Sequence, residues 1–171
     1  MRFRRKRFGE LTTDELYAIL RLRVAVFVVE QHCPYMELDD LDQGAVHVWM
    51  EDEDGIQAYL RVMDRGVESE HVSIGRVIAV RRHQGLGSAI LSEGVRAARE
   101  CFRAGDVYLE AQAYARPFYE RAGFRQVSEE FLMDGIPHVR MLLSATEPGA
   151  SPAPCQSASD EGPRTKANPE R

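Results

Sequence analysis

Gly85 and Gly87 follow a largely β-branched run, Val77, Ile78, Ala79 and Val80, after the four residues Arg81 to Gln84, and open a stretch with helical spacing. The chain therefore passes from strand to helix through a glycine-containing turn. In such a turn the amides of Gln84, Gly85, Leu86, Gly87 and Ser88 can point together at an anion. A helix starting there adds roughly half a positive charge at its N-terminus, which favours a pyrophosphate without a lysine. Two common nucleotide patterns do not fit. The P-loop needs Gly-Lys-Ser/Thr, and here Gly87 is followed by Ser88 with no lysine; the dinucleotide fingerprint needs a third glycine, and Ile90 stands there.

A second group of residues bears side chains suited to proton transfer. Tyr119 has a phenol of pKa about 10, protonated at neutral pH. Glu110, Glu30 and His138 are the candidates for accepting a proton. Each also has an ordinary alternative: Glu110 as a paired surface carboxylate, Glu30 as a helix-end charge, His138 as a hydrogen-bonded strand residue.

The pattern R/Q-x-x-G-x-G/A is met by Arg82, Gly85 and Gly87. It resembles the pyrophosphate motif of GNAT-type, acetyl-CoA-dependent N-acetyltransferases. Residues 112–124, with Gln112, Phe118, Tyr119, Gly123 and Phe124, resemble the second signature of that superfamily, Gln112 standing where Asn is usual. The segments 26–31, 33–35 and 134–138 are similar to its ElaA-like branch. Taken together the likeness runs over residues 10–143, with His83 in a place where glycine is common.

That resemblance implies an α/β (α+β) GNAT fold, a mixed and centrally splayed sheet flanked by helices, with acetyl-CoA as co-substrate. The strands ending near Val80 and Gln112 would part, and pantetheine would lie in the opening. Backbone groups of Val77, Ile78, Ala79 and Val80 would then hold pantetheine and the acetyl carbonyl. Arg82, His83 and the residues from Gln84 to Ser88 would hold the pyrophosphate, with Gln112 and Phe118 completing the donor site. Tyr119 matches the thiolate donor. The segment after the first helix would line the acceptor pocket, making Glu30 and Tyr35 the candidate substrate contacts. The acceptor would be a small-molecule or peptide amine, attacking directly in a ternary complex. A non-catalytic acyl-CoA sensor is the alternative, and homodimerisation stays open.

These residues need elements to position them. Residues 3–8 suit an edge strand, and Thr12 with Glu15 forms a capping box for a helix carrying Leu16, Ile19, Leu20 and Phe27 on one face. Strands are expected at 45–50 and 56–63, joined through Asp54-Gly55, and at 72–80. Leu91, Val95, Ala98 and Phe102 mark the core face of the helix after the turn. In a strand at 107–112, Val107, Leu109 and Ala111 share one face and Tyr108, Glu110 and Gln112 the other. A short helix at 116–122 and a hairpin of 127–133 with 138–143 across Asp134-Gly135 complete the set.

The 171 residues, 44% hydrophobic and 29% charged, suit one globular domain at 1–143. Residues 144–171 lack large apolar side chains and are expected to form a disordered tail. A net charge of −5 argues against nucleic-acid coating, and the basic segment 2–7 reads as a solvated end. The absence of a membrane-length apolar run and of a secretory pattern predicts no membrane association and a cytoplasmic protein. Cys33, Cys101 and Cys155 are dispersed and predict reduced thiols. His47, His71 and His83 stand singly, so no metal is assigned. The acidic loop 37–42 lacks the spacing of a calcium loop and reads as solvated, with Asp39, Asp40 and Asp42 available to attract a cationic amine.

Overall fold

A computed structural model describes residues 1–145. The expected tail at 146–171 lies outside the described residues. An eight-stranded sheet runs in the order β1 (Arg2–Arg7), β2 (Val46–Asp52), β3 (Gly55–Met63), β4 (Val72–Ala79), β5 (Val107–Gln112), β8 (Ile136–Leu143) and β6 (Arg125–Gln126), with β7 (Phe131–Met133) pairing to β8. All pairings are antiparallel except β4 with β5. Helices α2 (Leu86–Phe102) and α3 (Arg116–Arg121) cover one face, and α1 (Thr13–Arg23) covers the other.

Side-chain alternation sorts the two layers. Val46 and Val48, Leu60 and Val62, Val107 and Leu109 turn toward α2, whose Ile90, Leu91, Ala97 and Ala98 complete that core. Trp49, Tyr59 and Ile78 turn the other way and pack on Ile19 of α1. The capping box forms as expected: Glu15 N–H donates to Thr12 Oγ1 at 3.2 Å, and Thr12 N–H donates to Glu15 Oε2 at 2.8 Å. The β7–β8 turn places Asp134 at φ 50° and Gly135 at φ 78°, the positive pair that suits a two-residue hairpin.

Three expectations need correction. The first helix does not continue as one α-helix through Phe27. It stops at Arg23, and Val24–Glu30 winds on as a wider π-helix, with Gln31 N–H donating to Val26 O at 3.3 Å. The strand expected at 127–133 is shorter, with only Phe131–Met133 (β7) forming strand there and a separate two-residue strand, β6, lying before it; in between, Gln126 Nε2 donates to Ser128 O at 2.7 Å. Cys33 is a free, buried thiol, but Cys101 is disulfide-bonded, against the reduced-thiol reading. Among the described residues, no helix is long and apolar enough to cross a membrane.

Candidate active site

The parallel pairing of β4 with β5 covers only Val72 with Val107 and Ser73 with Tyr108. Beyond that fork the strands part, and a cleft of about 1090 Å³ opens between them. A bulge in β4 shapes its wall. Pairing with β3 skips from Arg61–Gly75 to Tyr59–Ile78, so one extra residue is taken up on β4. Arg76 sits there at φ 56°. Strict alternation would bury Arg76 beside Ile74 among the aliphatic side chains under α2. The bulge keeps it with Gly75 on the α1 side and returns Val77 to the α2 side.

The bulge also decides which backbone groups face the opening. Val80 N–H donates to Gln57 O at 2.9 Å, and Ile78 pairs with Tyr59. Backbone groups alternate along a strand, so Val77 and Ala79 direct theirs into the cleft while Ile78 and Val80 are committed to β3. Four contiguous candidates thus reduce to two for backbone contact.

Past β4 the turn runs through His83 at φ 63° and Gly85 at φ 79°. The positive φ at His83 explains why glycine suits that position. Gly85 is the N-cap of α2, and a Cβ built on it meets nothing within 4 Å, so the space above the turn is open. No side chain caps α2, leaving its first N–H groups to an outside acceptor. A Cβ at Gly87 would stand 3.3 Å from Phe118 Cε2 and Cζ, so the missing side chain lets α2 approach α3. Gly85, Gly87, Ser88, His83 and Arg82 all line the cleft. Gln84 and Leu86 do not; the Leu86 side chain is buried in the core, which leaves only its N–H to the turn.

Across the fork, Tyr119 on α3 is buried, its ring edge-on to Phe118 at 4.9 Å and to Phe124 at 6.1 Å. It lines the cleft, and burial, with the neighbouring Tyr114, pushes its phenol well above the usual value. A phenol so held stays protonated at neutral pH. His138 on β8 pairs with Gln112 and is also buried at the cleft. Its Nδ1 lies 2.8 Å from the carbonyl of Ile136, a group that only accepts, so the neutral ring carries its proton on Nδ1 and keeps the Nε2 lone pair. Glu110 lines the cleft too, but its Oε1 accepts from Tyr108 Oη at 2.7 Å and pairs with Arg140 Nε at 3.5 Å.

On the α1 side, Glu30 and Tyr35 reach the cleft as expected, though neither polar group is free. Glu30 Oε1 accepts from Arg82 Nη2 at 2.6 Å, and the Tyr35 hydroxyl donates to Glu37. Burial and that bond to Glu37 raise the Tyr35 phenol.

The acidic loop overturns its solvated reading. Glu37 and Asp42 are buried, and Asp39 is partly so. Arg23 donates to Glu37 Oε1 at 2.7 Å and to Asp42 Oδ1 at 2.6 Å. Arg61 reaches Asp39 at 2.7 and 2.8 Å and Asp42 at 2.9 Å. Arg76, freed from the core by the bulge, reaches Glu37 at 2.9 Å and Asp39 at 3.1 Å. Burial alone would raise the Asp39 carboxyl, but the bonds and charge of Arg61 and the charge of Arg76 hold it down to about 2. Its charge is thus spent on arginines and not offered to an amine; only Asp40 stays exposed.

Sequence reasoning missed Arg76, Gln31 and Glu68. Gln31 Oε1 accepts from Gln112 Nε2 at 3.1 Å. Glu68 lines the cleft near the fork, its carboxyl pushed up by burial against the opposing charges of Arg61 and Arg76. No local pattern marks these residues. Gly75, beside the bulge, was the one available cue. Among the described residues no group of three or more His, Cys, Asp or Glu is arranged to hold a metal ion.

A mixed sheet forked at two parallel strands, with a helix N-terminus at the mouth of the fork, defines the class of acyl-CoA N-acyltransferases. The chain belongs to the GNAT acetyltransferase family, whose domain model matches residues 13–145. It is 41% identical over 139 residues to Protein ElaA of Escherichia coli K12, covering 78% of this chain and 90% of that one. The crystal structure of E. coli ElaA superposes with a TM-score of 0.77 at 36% identity, covering 82% of this chain and 97% of that one. An acyl-CoA N-acyltransferase from Pseudomonas aeruginosa superposes with a TM-score of 0.79 at 39% identity, over 84% and 100% of the two chains. The ElaA-like resemblance and the fold expected from it are therefore correct.

Proposed function

We propose that this chain transfers the acetyl group of acetyl-CoA to a primary amine by direct attack in a ternary complex. The observation that carries the reading is the fork itself: pairing stops after Ser73 and Tyr108, and the bulge leaves the Val77 and Ala79 backbone facing the gap. An acyl thioester supplies an electrophilic carbonyl and a thiolate leaving group. The open N-terminus of α2 and Arg82 suit its pyrophosphate, and the two unpaired strand edges suit the amides of pantetheine. A donor hydrogen-bonded on both edges is held in one orientation, and an N–H fixed in the gap stabilises charge developing on the carbonyl oxygen.

Tyr119 would return a proton to the sulfur. Its burial supports this role by keeping the phenol protonated throughout the neutral range. An alkyl amine, with a pKa of about 10.4 for a lysine-like group, must lose a proton before or during attack. We assign that proton to His138 in preference to Glu110. His138 has its Nε2 lone pair left over, whereas the Glu110 carboxylate is engaged by Tyr108 and Arg140. The wall made by Phe27, Tyr35 and Met36, anchored through the arginine-clamped loop, favours a small amine over an extended peptide.

The test is release of free coenzyme A thiol from acetyl-CoA with a pool of small amines and lysine peptides, against an acceptor-free control. Amine-dependent release is expected, and Tyr119→Phe should lower it by about 100-fold or more with coenzyme A affinity retained. Binding without release from any amine would favour the sensor reading, and full activity in Tyr119→Phe would remove its role as the acid.

A further inference from the structure

We propose that Glu30 and Arg82 form a latch across the mouth of the cleft, which the phosphates of the acyl donor must open before an acceptor can use Glu30. The proposal rests on the acyl-CoA reading above. The two residues are 52 positions apart in sequence and come from opposite walls. Arg82 belongs to the turn between β4 and α2, and Glu30 ends the π-helical segment that follows α1. Their 2.6 Å contact spans the opening that both line.

The neighbouring residue makes a second crossing. Gln31 Oε1 accepts from Gln112 Nε2 at the end of β5. The end of one segment is therefore fastened to both arms of the fork, to the β4 side through Arg82 and to the β5 side through Gln112. The π-helical winding makes this reach possible. Gln31 N–H bonds back to Val26 O and Cys33 N–H to Val28 O, each five residues earlier, and the wider turn sets Glu30 and Gln31 over the gap.

Arg82 cannot serve two anions equally. A carboxylate 2.6 Å from Nη2 engages that donor and repels an incoming phosphate. The pair is exposed, at 65% and 55% of its side-chain surface, so it is weak enough to be displaced by a more highly charged ligand. Displacement frees the Glu30 carboxylate on the wall that also carries Tyr35, where it can receive a cationic amine. Donor binding thus completes the acceptor pocket, and the order donor first, amine second, is built into one ion pair. The latched state reduces donor affinity in proportion to its population.

Titration calorimetry with free coenzyme A reads this directly, using the full chain, Glu30→Gln, Arg82→Gln and the double variant at low and high salt. Glu30→Gln should bind coenzyme A about two- to fivefold tighter at low salt, since removing the competitor recovers what an exposed pair holds. The gain should shrink in high salt. It should vanish in the Arg82→Gln background, where no guanidinium remains to be contested. Equal or weaker binding by Glu30→Gln overturns the latch, as does a gain that persists without Arg82, because that would be a general charge effect. If the unaltered chain binds no coenzyme A, the acyl-CoA reading falls and the latch with it. Binding that Glu30→Gln leaves unchanged overturns the latch alone.

Discussion

Replacing Asp42 with Asn tests whether the arginine-clamped loop is structural. Asp42 Oδ1 accepts from Arg23 Nη1 at 2.6 Å and from Arg61 Nη1 at 2.9 Å, and both guanidiniums are fully buried. In the network, Arg23, Arg61 and Arg76 face Glu37, Asp39 and Asp42, with Glu68 a further carboxylate 3.8 Å from Arg61. Asp42→Asn keeps the volume but removes the one carboxylate that the two buried guanidiniums of Arg23 and Arg61 share. Breaking a buried pair from one side costs about 3–5 kcal/mol. That is a large part of the roughly 5–15 kcal/mol available to a domain. With a urea slope of about 2 kcal/mol per molar, the unfolding midpoint should fall by roughly 2 M. Asp40→Asn is the internal control: it makes the same charge change in the same loop, but Asp40 is exposed and sits at φ 60°, a conformation Asn tolerates. Its effect should stay within about 0.5 kcal/mol. Equal midpoints for the two variants, with equal slopes, would refute the buried network and return the loop to a solvated one.

Three further outcomes are expected. His138→Gln should lower turnover by about 100-fold while leaving coenzyme A affinity unchanged, measured by thiol release and calorimetry; weakened donor binding would assign His138 to the wrong ligand. Gly85→Ala should lose about 1–2 kcal/mol from its left-handed φ and also weaken coenzyme A binding, whereas Gly85→Asn should recover most of the stability but not the binding; recovery of both would mean that no ligand approaches that backbone. The Asp39 carboxyl is held at about 2 against an ordinary 3.8, so its contribution is complete above about pH 4 and disappears as pH falls toward 2. Urea titrations should show a loss over that window about 2 kcal/mol larger in the parent chain than in Asp39→Asn, because Asp42 and Glu15 are also held below their ordinary values and titrate in both; equal losses in the two would contradict the pairing with Arg61 and Arg76.

What could be read from sequence was what repeats locally. The α2 face, the alternation of β5 and the Asp134-Gly135 turn are set by neighbouring residues, and so is the glycine turn at the mouth of the cleft. What escaped depends on distance. Glu37, Asp39 and Asp42 look solvated as a string of acids, and only the fold brings them to Arg23, Arg61 and Arg76, from 14 to 39 residues away in sequence. The bulge at Arg76 has only Gly75 beside it as a local cue, because a non-glycine at positive φ is held there by the strands on either side and by the carboxylates it reaches. Glu30 and Arg82 were each singled out, yet nothing in their local spacing indicated that they would meet.

The fork also has a bearing on solubility. A strand pair that opens inside a sheet presents unpaired amides along two facing edges, the same template that invites a strand from another chain. An outer edge can be protected with charge or proline, but an edge that must stay open for function cannot. Here the bulge twists β4 out of a straight ladder at Arg76, so an extended intruder would lose register where it entered. The irregularity that aims Val77 and Ala79 into the cleft therefore also guards the protein against self-association through its interior. A variant that straightened β4 would be expected to aggregate before it lost its fold.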